Sequence, residues 1–172
     1  CGKLLKEVLD DVLANVPKEK IDERILNFKS SMNTMPIDNI SMPTGVKSLS
    51  KYVERKTEGQ TFSTFKSGAP VHVKSAVNYN DLLLHFEISK QYLFISSAEK
   101  IRWVYLTKNP LGIESLAYKG YEDPKEILQY IRDYIDYEKM YDKNLFRKIM
   151  MFYEAMGWSQ PVDKKFTLER FF

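Results

Sequence analysis

The sequence predicts an α+β fold that is mostly helical, with a helical hairpin, a basic loop region and a small antiparallel strand insertion. Apolar residues recur every three to four positions in residues 3–16 and again in 18–33, the pattern of amphipathic helices. Pro17 separates the two stretches, and so short a joint predicts two antiparallel helices. Aromatic and β-branched residues concentrate between about 92 and 118, where they predict strands.

The composition is that of an ordinary globular domain. The 172 residues are 44% apolar and 28% charged, and no apolar run approaches the ~20 residues that a membrane span needs. The single cysteine excludes an internal disulfide framework. Because the net charge is only +3, affinity for nucleic acid would have to come from local basic clusters. We expect one domain over residues 1–162 and a separate peptide at 163–172. The chain starts at Cys1 without a methionine, which indicates a fragment or a product of cleavage or splicing.

Turn-forming residues are densest from residue 44 to residue 70, after an extended segment interrupted by prolines. Pro36 and Pro43 flank a short segment, 37–42, that we expect to be extended. Glycine, proline and serine recur from residue 44 to residue 70, and lysines and aromatic residues are interspersed among them. We therefore predict a basic, loop-rich surface, because ligand-binding residues are often carried by loops on a rigid scaffold.

The next part of the chain is expected to contain one helix and several strands. A helix at 71–85 should begin directly after Pro70. Strands are predicted at Tyr92–Ile95, Ile101–Leu106 and Ser115–Tyr118, with a turn at Asn109–Gly112. Together these strands should form the small antiparallel sheet.

Two further helices are predicted before the C-terminal peptide. Asp123 is a candidate N-cap for a helix at 124–135, because a proline follows it and Glu126 lies three residues after the cap. A last helix is expected at 137–156, with Gly157 as its C-terminal stop.

Residues that would support catalysis by this chain alone are not found in the sequence. His72 and His85 have no histidine, cysteine or paired acid beside them, so we interpret them as packing or hydrogen-bonding residues. Asp10 and Asp11 are expected on a solvated helix face, and Cys1 has no base to activate it. Neither a P-loop nor a dinucleotide-binding motif occurs. We therefore predict no catalytic residue, no metal site and no cofactor in this chain.

The C-terminal residues 163–172 form a charged stretch that ends on two phenylalanines. One helical turn would place Leu168, Phe171 and Phe172 on a single side, which suits insertion into a pocket of a partner. The spacing is similar to that of the peptide by which replication proteins bind a DNA sliding clamp. Lys165 stands where the fuller motif has glutamine. The alternative is that the two phenylalanines pack onto the body of the domain.

The lysines of the basic loop region have two possible roles. Near turn glycines, ammonium groups and backbone N–H groups can converge on phosphates, which positions nucleic acid without reading its sequence. Each neutralised phosphate would add about 0.9 to the salt slope of duplex binding. The alternative is that these lysines only keep the surface soluble.

Four stretches of the sequence, in order, resemble a known family. They are Pro43–Tyr52, Pro70–Lys74, Glu99–Leu106 with Asn109 and Pro110, and Tyr134–Tyr137, followed by Gly157, Trp158 and the terminal Thr167–Phe172. Together they resemble the C-terminal thumb of family B DNA polymerases from large tailed phages, and the marine cyanophage type is the nearest. The similarity runs from the first helix to the last residue.

This resemblance implies a thumb that grips the primer–template duplex and a terminal peptide that tethers the enzyme to the sliding clamp. The residues that would contact DNA are Thr44, Gly45, Val46, Lys47, Lys51, Tyr52, Lys66, His72 and Lys74. The residues that would contact the clamp are Leu168, Phe171 and Phe172.

The resemblance also implies that catalysis needs a second segment. The metal-binding aspartates of the family lie in the palm and its proofreading acids in the exonuclease domain, and neither segment is part of this sequence. Mg²⁺ is therefore expected in the palm of the complete polymerase, and a palm-containing segment or subunit is an expected partner. The cytoplasm of an infected bacterial host is the expected location, with no membrane partner. The competing hypothesis is a stand-alone, non-enzymatic accessory protein that binds the clamp and DNA.

Overall fold

The chain folds as α+β, which confirms the predicted fold class. The computed structural model describes residues 2–54, 59 and 61–161. The chain divides into two compact units. The helical unit comprises Cys1–Ile40 and Tyr137–Phe172, and the sheet unit comprises Ser41–Asp136.

The elements follow one another along the chain in a simple order. They are α1 (Gly2–Leu13), α2 (Lys18–Ser31), a 3₁₀ turn (Met32–Thr34), α3 (Ile37–Ile40), β1 (Met42–Gly45), a second 3₁₀ turn (Leu49–Tyr52), α4 (Val71–His85), β2 (Lys100–Tyr105), β3 (Ser115–Tyr118), α5 (Lys125–Tyr134), α6 (Tyr137–Tyr141), a π-helical turn (Asp142–Phe146) and α7 (Arg147–Ala155). The helices α2, α4 and α5 lie within about two residues of their predicted bounds. The helix predicted at 137–156 is formed by α6, the π-helical turn and α7 together.

The predicted helical pair α1 and α2 forms, and the two helices pack against each other. α1 ends at Leu13, three residues earlier than the apolar pattern indicates, because Asn15 adopts a left-handed conformation with φ of 55°. Arg24 of α2 pairs with Asp11 of α1, with 3.2 Å between Nε and Oδ2. Asp11 is therefore half-buried in an ion pair between helices, and only Asp10 lies on the solvated face expected for both.

The segment before the sheet is helical, so the expectation of an extended chain at 37–42 is wrong for its first four residues. α3 begins directly after Pro36, whose fixed φ suits the start of a helical turn. The carbonyl of Pro36 accepts the Asn39 N–H at 3.0 Å, and Ile40 is fully buried. Burial of Ile40 therefore favours the helical turn over an extended chain.

The sheet has the order β1-β2-β3 and is antiparallel throughout. Thr44 of β1 lies opposite Ile101, and Trp103 of β2 lies opposite Ala117 of β3. The last two residues of β1, Thr44 and Gly45, belong to the segment that was expected to be a loop. This start of the basic loop region is therefore a strand. The expected strand at 92–95 does not form, because the Asn80 side chain bonds both the N–H and the carbonyl of Ile95, at 2.7 and 2.9 Å.

α4 is the central element of the sheet unit. It packs against β3, β2 and the second 3₁₀ turn, and residues are buried on most sides of it. Asn78 donates to the Ser115 carbonyl at 2.8 Å, which joins α4 to β3. The lysines that precede and begin α4 are therefore carried by a rigid element.

Asp123 does not cap α5, contrary to expectation. Its carboxylate accepts the backbone N–H groups of Lys119 and Gly120, each at 2.7 Å, and so closes the turn after β3. Pro124 occupies the N-cap position and makes no side-chain hydrogen bond there. Burial raises the pKa of Asp123, while the two N–H donors act in the opposite direction.

The C-terminal helix of the helical unit runs through α6, the π-helical turn and α7. It ends at Gly157 as predicted, where φ is 66°. The N–H groups of Gly157 and Trp158 bond the carbonyls of Glu154 and Tyr153, the arrangement of a Schellman cap. The Tyr153 hydroxyl donates to Asp22 at 2.6 Å and connects α7 to α2. Among the described residues, no helix is both long and apolar enough to cross a bilayer.

Candidate nucleic-acid interface

Two short backbone segments pair within the basic loop region. The Lys66 N–H bonds the Tyr52 carbonyl and the Glu54 N–H bonds the Thr64 carbonyl, each at 2.9 Å. Val53 and Phe65 form an antiparallel bridge between these bonds. We call the paired segments 52–54 and 64–66 the basic hairpin. Its pairing places Lys66 beside Tyr52, and therefore near Lys51.

The basic hairpin is attached to α4 by a buried carboxylate. Asp81 of α4 is 4% exposed and accepts the Ser63 N–H at 2.7 Å. At the other end of the same helix, the Lys74 ammonium lies 5.9 Å from the centre of the Phe65 ring. α4 therefore fixes the position of the hairpin and adds a third lysine to it.

We define the basic cluster as Lys51, Lys66 and Lys74, together with the aromatic rings of Tyr52 and Phe65. Lys51 and Lys66 are exposed, and Lys74 is half-buried. The Lys51 ammonium lies 5.4 Å from the centre of the Tyr52 ring. None of the three lysines forms an ion pair with a described residue. Glu54 is the acid within the described part of the hairpin, and its carboxylate accepts the Thr64 hydroxyl at 3.4 Å. Three lysines against one carboxylate leave the cluster with a net positive charge.

The start of α4 adds to this positive field. A turn closed by the Ala69 N–H and the Lys66 carbonyl, at 3.2 Å, leads directly into the helix at Val71. The first N–H groups of a helix carry partial positive charge. Ammonium groups and these N–H groups suit contact with a phosphate backbone, and neither selects a base sequence.

Other residues expected at the interface have different environments. Thr44 and Gly45 belong to β1, and the Thr44 hydroxyl already accepts a hydrogen bond from Trp103 Nε1 at 3.2 Å. Val46 is fully buried, and its N–H and carbonyl bond the chain around residues 98–99. The prediction that Val46 contacts DNA is therefore wrong, because its side chain is buried and its backbone groups are already hydrogen-bonded. Lys47 is exposed, so its ammonium group is accessible.

The two histidines do not contribute positive charge in the same way. His72 is half-buried in the first turn of α4, and burial lowers its pKa below the usual value. It is therefore neutral at neutral pH and can offer a hydrogen bond but no charge. His85 is exposed, and its ring lies 5.7 Å from Phe62 and 5.3 Å from Phe86. These ring contacts agree with the expected packing role for His85.

Two residues of the interface were missed by reasoning from sequence. Phe65 provides the ring beneath Lys74, and Asp81 anchors the hairpin. A signal existed for Asp81, since an acid among the apolar residues of α4 requires a partner when it is buried. No comparable signal existed for Phe65, because its contact with Lys74 depends on the hairpin pairing.

The expected clamp-binding residues Leu168, Phe171 and Phe172 lie outside the described residues. Among the residues that the structure describes, no group of three or more His, Cys, Asp or Glu side chains is arranged to hold a metal ion.

No family model matches the chain, and no curated protein matches it in sequence.

Proposed function

We propose that this chain is the thumb of a phage replicative DNA polymerase of family B, which grips the primer–template duplex and tethers the enzyme to a sliding clamp. The observation that carries the proposal is the basic cluster. Lys51, Lys66 and Lys74 come from three separate parts of the sheet unit, are held by the basic hairpin and α4, and form no ion pair with a described carboxylate. Lysines on a rigid support near one another in the fold favour phosphate binding over solubility alone, for which lysines on mobile segments suffice.

The chemistry of the cluster suits a protein that moves along DNA. Lysine is a point charge on a flexible stem, so it attracts phosphates without the fixed geometry of a bidentate arginine contact. Contacts to phosphate hold the duplex but carry no sequence information. A thumb with such contacts can therefore hold each newly formed base pair in turn.

The C-terminal peptide is proposed as the tether. Burial of Leu168, Phe171 and Phe172 at about 1.5–3 kcal/mol each would give roughly 4–9 kcal/mol in all. The entropic cost of association removes much of this, so the isolated peptide should bind a clamp with micromolar affinity. When thumb and clamp are on the same DNA, the second contact becomes intramolecular and the weak peptide becomes an effective tether.

Nucleotide transfer would be performed by a partner. A palm-containing segment or subunit would supply the acidic residues and the Mg²⁺ ions that stabilise the charge developing during phosphoryl transfer. The place of action would be the cytoplasm of an infected bacterium. The alternative, a stand-alone accessory protein that binds clamp and DNA, requires no palm partner.

Affinity purification of the tagged chain from infected-cell extract separates these functions. A polymerase chain containing the palm, recovered with a ring-shaped clamp, is the expected result. Recovery of the clamp alone would favour the accessory protein. Recovery of no clamp and no palm-containing chain would contradict both proposed functions. The matched control is Phe171→Ala with Phe172→Ala, which should lose the clamp and keep the palm-containing partner.

A further inference from the structure

A second surface of the sheet unit has the features of a ligand site and shares no residue with the basic cluster. It is an open cleft of about 510 Å³ that continues into a second opening of about 390 Å³. Leu93, Lys119 and Tyr121 line both openings, and Tyr79 and Tyr92 line the first. We call these five residues the tyrosine cleft.

The rim of the cleft is unusually apolar for an exposed surface. Leu93 is 83% exposed, Tyr121 is 62% exposed, and Phe94, which lines the second opening, is 42% exposed. Exposed aromatic and aliphatic side chains grouped around a depression are typical of protein contact sites. The Leu93 N–H and carbonyl form no hydrogen bond with another described residue, so they are available to a second backbone.

The floor of the cleft contains a polar group without a partner. Tyr79 is 1% exposed, and its hydroxyl forms no hydrogen bond with any residue in the part of the chain that the structure describes. The hydroxyl is not among the fully buried unpaired atoms of the described residues, so solvent in the cleft reaches it and an acceptor on a ligand can replace that solvent. Burial also raises the pKa of Tyr79, so the hydroxyl keeps its proton and can donate it to an acceptor.

The charge of the cleft selects the kind of ligand. The Lys119 ammonium is paired with Glu99 at 3.5 Å and also donates to the Phe94 carbonyl at 3.4 Å. Glu122 at the rim is exposed and has no ion pair with a described residue. The uncompensated carboxylate disfavours a phosphate backbone and favours a cation.

We propose that the tyrosine cleft binds a short peptide segment of a protein partner, with an aromatic or aliphatic anchor next to a lysine or arginine. The anchor packs between Leu93 and Tyr121, and the basic residue lies against Glu122. A peptide carbonyl accepts the Tyr79 hydroxyl. This site is independent of the basic cluster, so it stands or fails separately from DNA binding.

The test begins with a library of random dodecapeptides selected on the full chain. A consensus with an apolar anchor beside a basic residue is the expected result, and it should not be selected on the Leu93→Ser, Tyr121→Ser double variant. Both side chains are mostly exposed, so the double variant should unfold at the same temperature as the parent chain. Absence of enrichment, or equal selection on the double variant, would overturn the proposal.

The consensus peptide is then labelled and titrated by fluorescence anisotropy. Tyr79→Phe should weaken binding roughly tenfold, because it removes only the hydroxyl that donates to the ligand. Glu122→Lys should weaken binding by about three- to tenfold, and the loss should shrink as salt rises. Leu84→Ser changes a leucine that is 50% exposed and does not line the cleft, so it should leave the affinity unchanged.

A thymidine oligonucleotide serves as the competing ligand. Displacement of the peptide by the oligonucleotide, with loss of that displacement in the double variant, would show a single-stranded nucleic-acid site and would contradict the proposal. An effect of Leu84→Ser as large as that of Tyr79→Phe would also contradict it.

Discussion

The basic cluster makes a quantitative prediction about salt. We consider the triple variant Lys51→Gln, Lys66→Gln and Lys74→Gln, which removes charge and keeps most of each side chain. If each lysine neutralises one phosphate, the slope of log K against log salt should become shallower by about 2.7, at about 0.9 per contact. The ratio of parent to variant affinity should then fall about 40-fold between about 50 and about 200 mM salt.

Fluorescence anisotropy with a labelled duplex, repeated across that range of salt, measures the slope directly. The matched control replaces three exposed lysines of the helical unit, Lys6, Lys20 and Lys148, with glutamine, so the net charge changes equally. None of these three has an ion pair with a described residue either. The control should leave the slope nearly unchanged, because the slope counts only the phosphates that bound lysines neutralise and the proposal places those contacts at the basic cluster.

The melting temperatures of the parent chain and the triple variant show whether loss of structure causes the change in salt slope. Lys51 and Lys66 are exposed, and Lys51 and Lys74 each lie over one aromatic ring, so the triple variant should lose no more than about 2 kcal/mol of stability. Equal slopes in parent and triple variant, or an equal decrease in the control, would refute the placement of the phosphate contacts at this cluster.

Three further predictions concern the hairpin anchor, the helical core and the terminal peptide. Asp81→Ala should weaken duplex binding by roughly three- to tenfold in the anisotropy assay. Asp81→Asn should keep most of the affinity, because its amide oxygen can still accept the Ser63 N–H. Equal losses of affinity in the two variants would argue against an anchoring role. Burial, helped by the hydrogen bond to Asp22, raises the pKa of Tyr153, so the neutral phenol stabilises the fold fully below the unfolded pKa of about 10. The free energy of unfolding, measured with urea, should therefore fall above pH ~10 by about 1.4 kcal/mol per pH unit from this residue, and Tyr153→Phe should remove that contribution. Phe171→Ala with Phe172→Ala should abolish clamp binding in a pull-down without changing the melting temperature, whereas a decrease of more than a few degrees would favour packing of these rings onto the domain.

Local chemistry predicted the helices well. α4 has the expected bounds because Pro70 sets its first turn, and α7 ends where Gly157 permits a left-handed residue. Both signals act within one or two turns of helix, so they do not depend on the rest of the chain. α1 was predicted three residues too long, because the apolar pattern continues past Asn15 while the backbone does not.

The strands were predicted less well because pairing is decided far along the chain. β1 pairs with β2 across more than fifty residues, as in Thr44 opposite Ile101, and no neighbouring residue indicates this. Residues 92–95 have strand-forming side chains, but the Asn80 amide occupies the backbone groups of Ile95. Asp123 was assigned to the wrong backbone donors for a local reason, since the N–H groups just before it and those of the following helix both lie within reach of one carboxylate.

The sequence by itself determined the α+β class, the helical pair, the terminal helix and the presence of lysines among aromatic residues. Each follows from periodicity or composition over a short stretch of chain. In such a stretch, the free energy of local backbone conformation and capping outweighs the contribution of distant contacts. Only the tertiary structure decided which lysines share one support, because the placement of Lys51, Lys66 and Lys74 depends on the hairpin pairing and on Asp81. It also decided that Val46 is buried, since burial is a property of the packed molecule and not of the residues beside it.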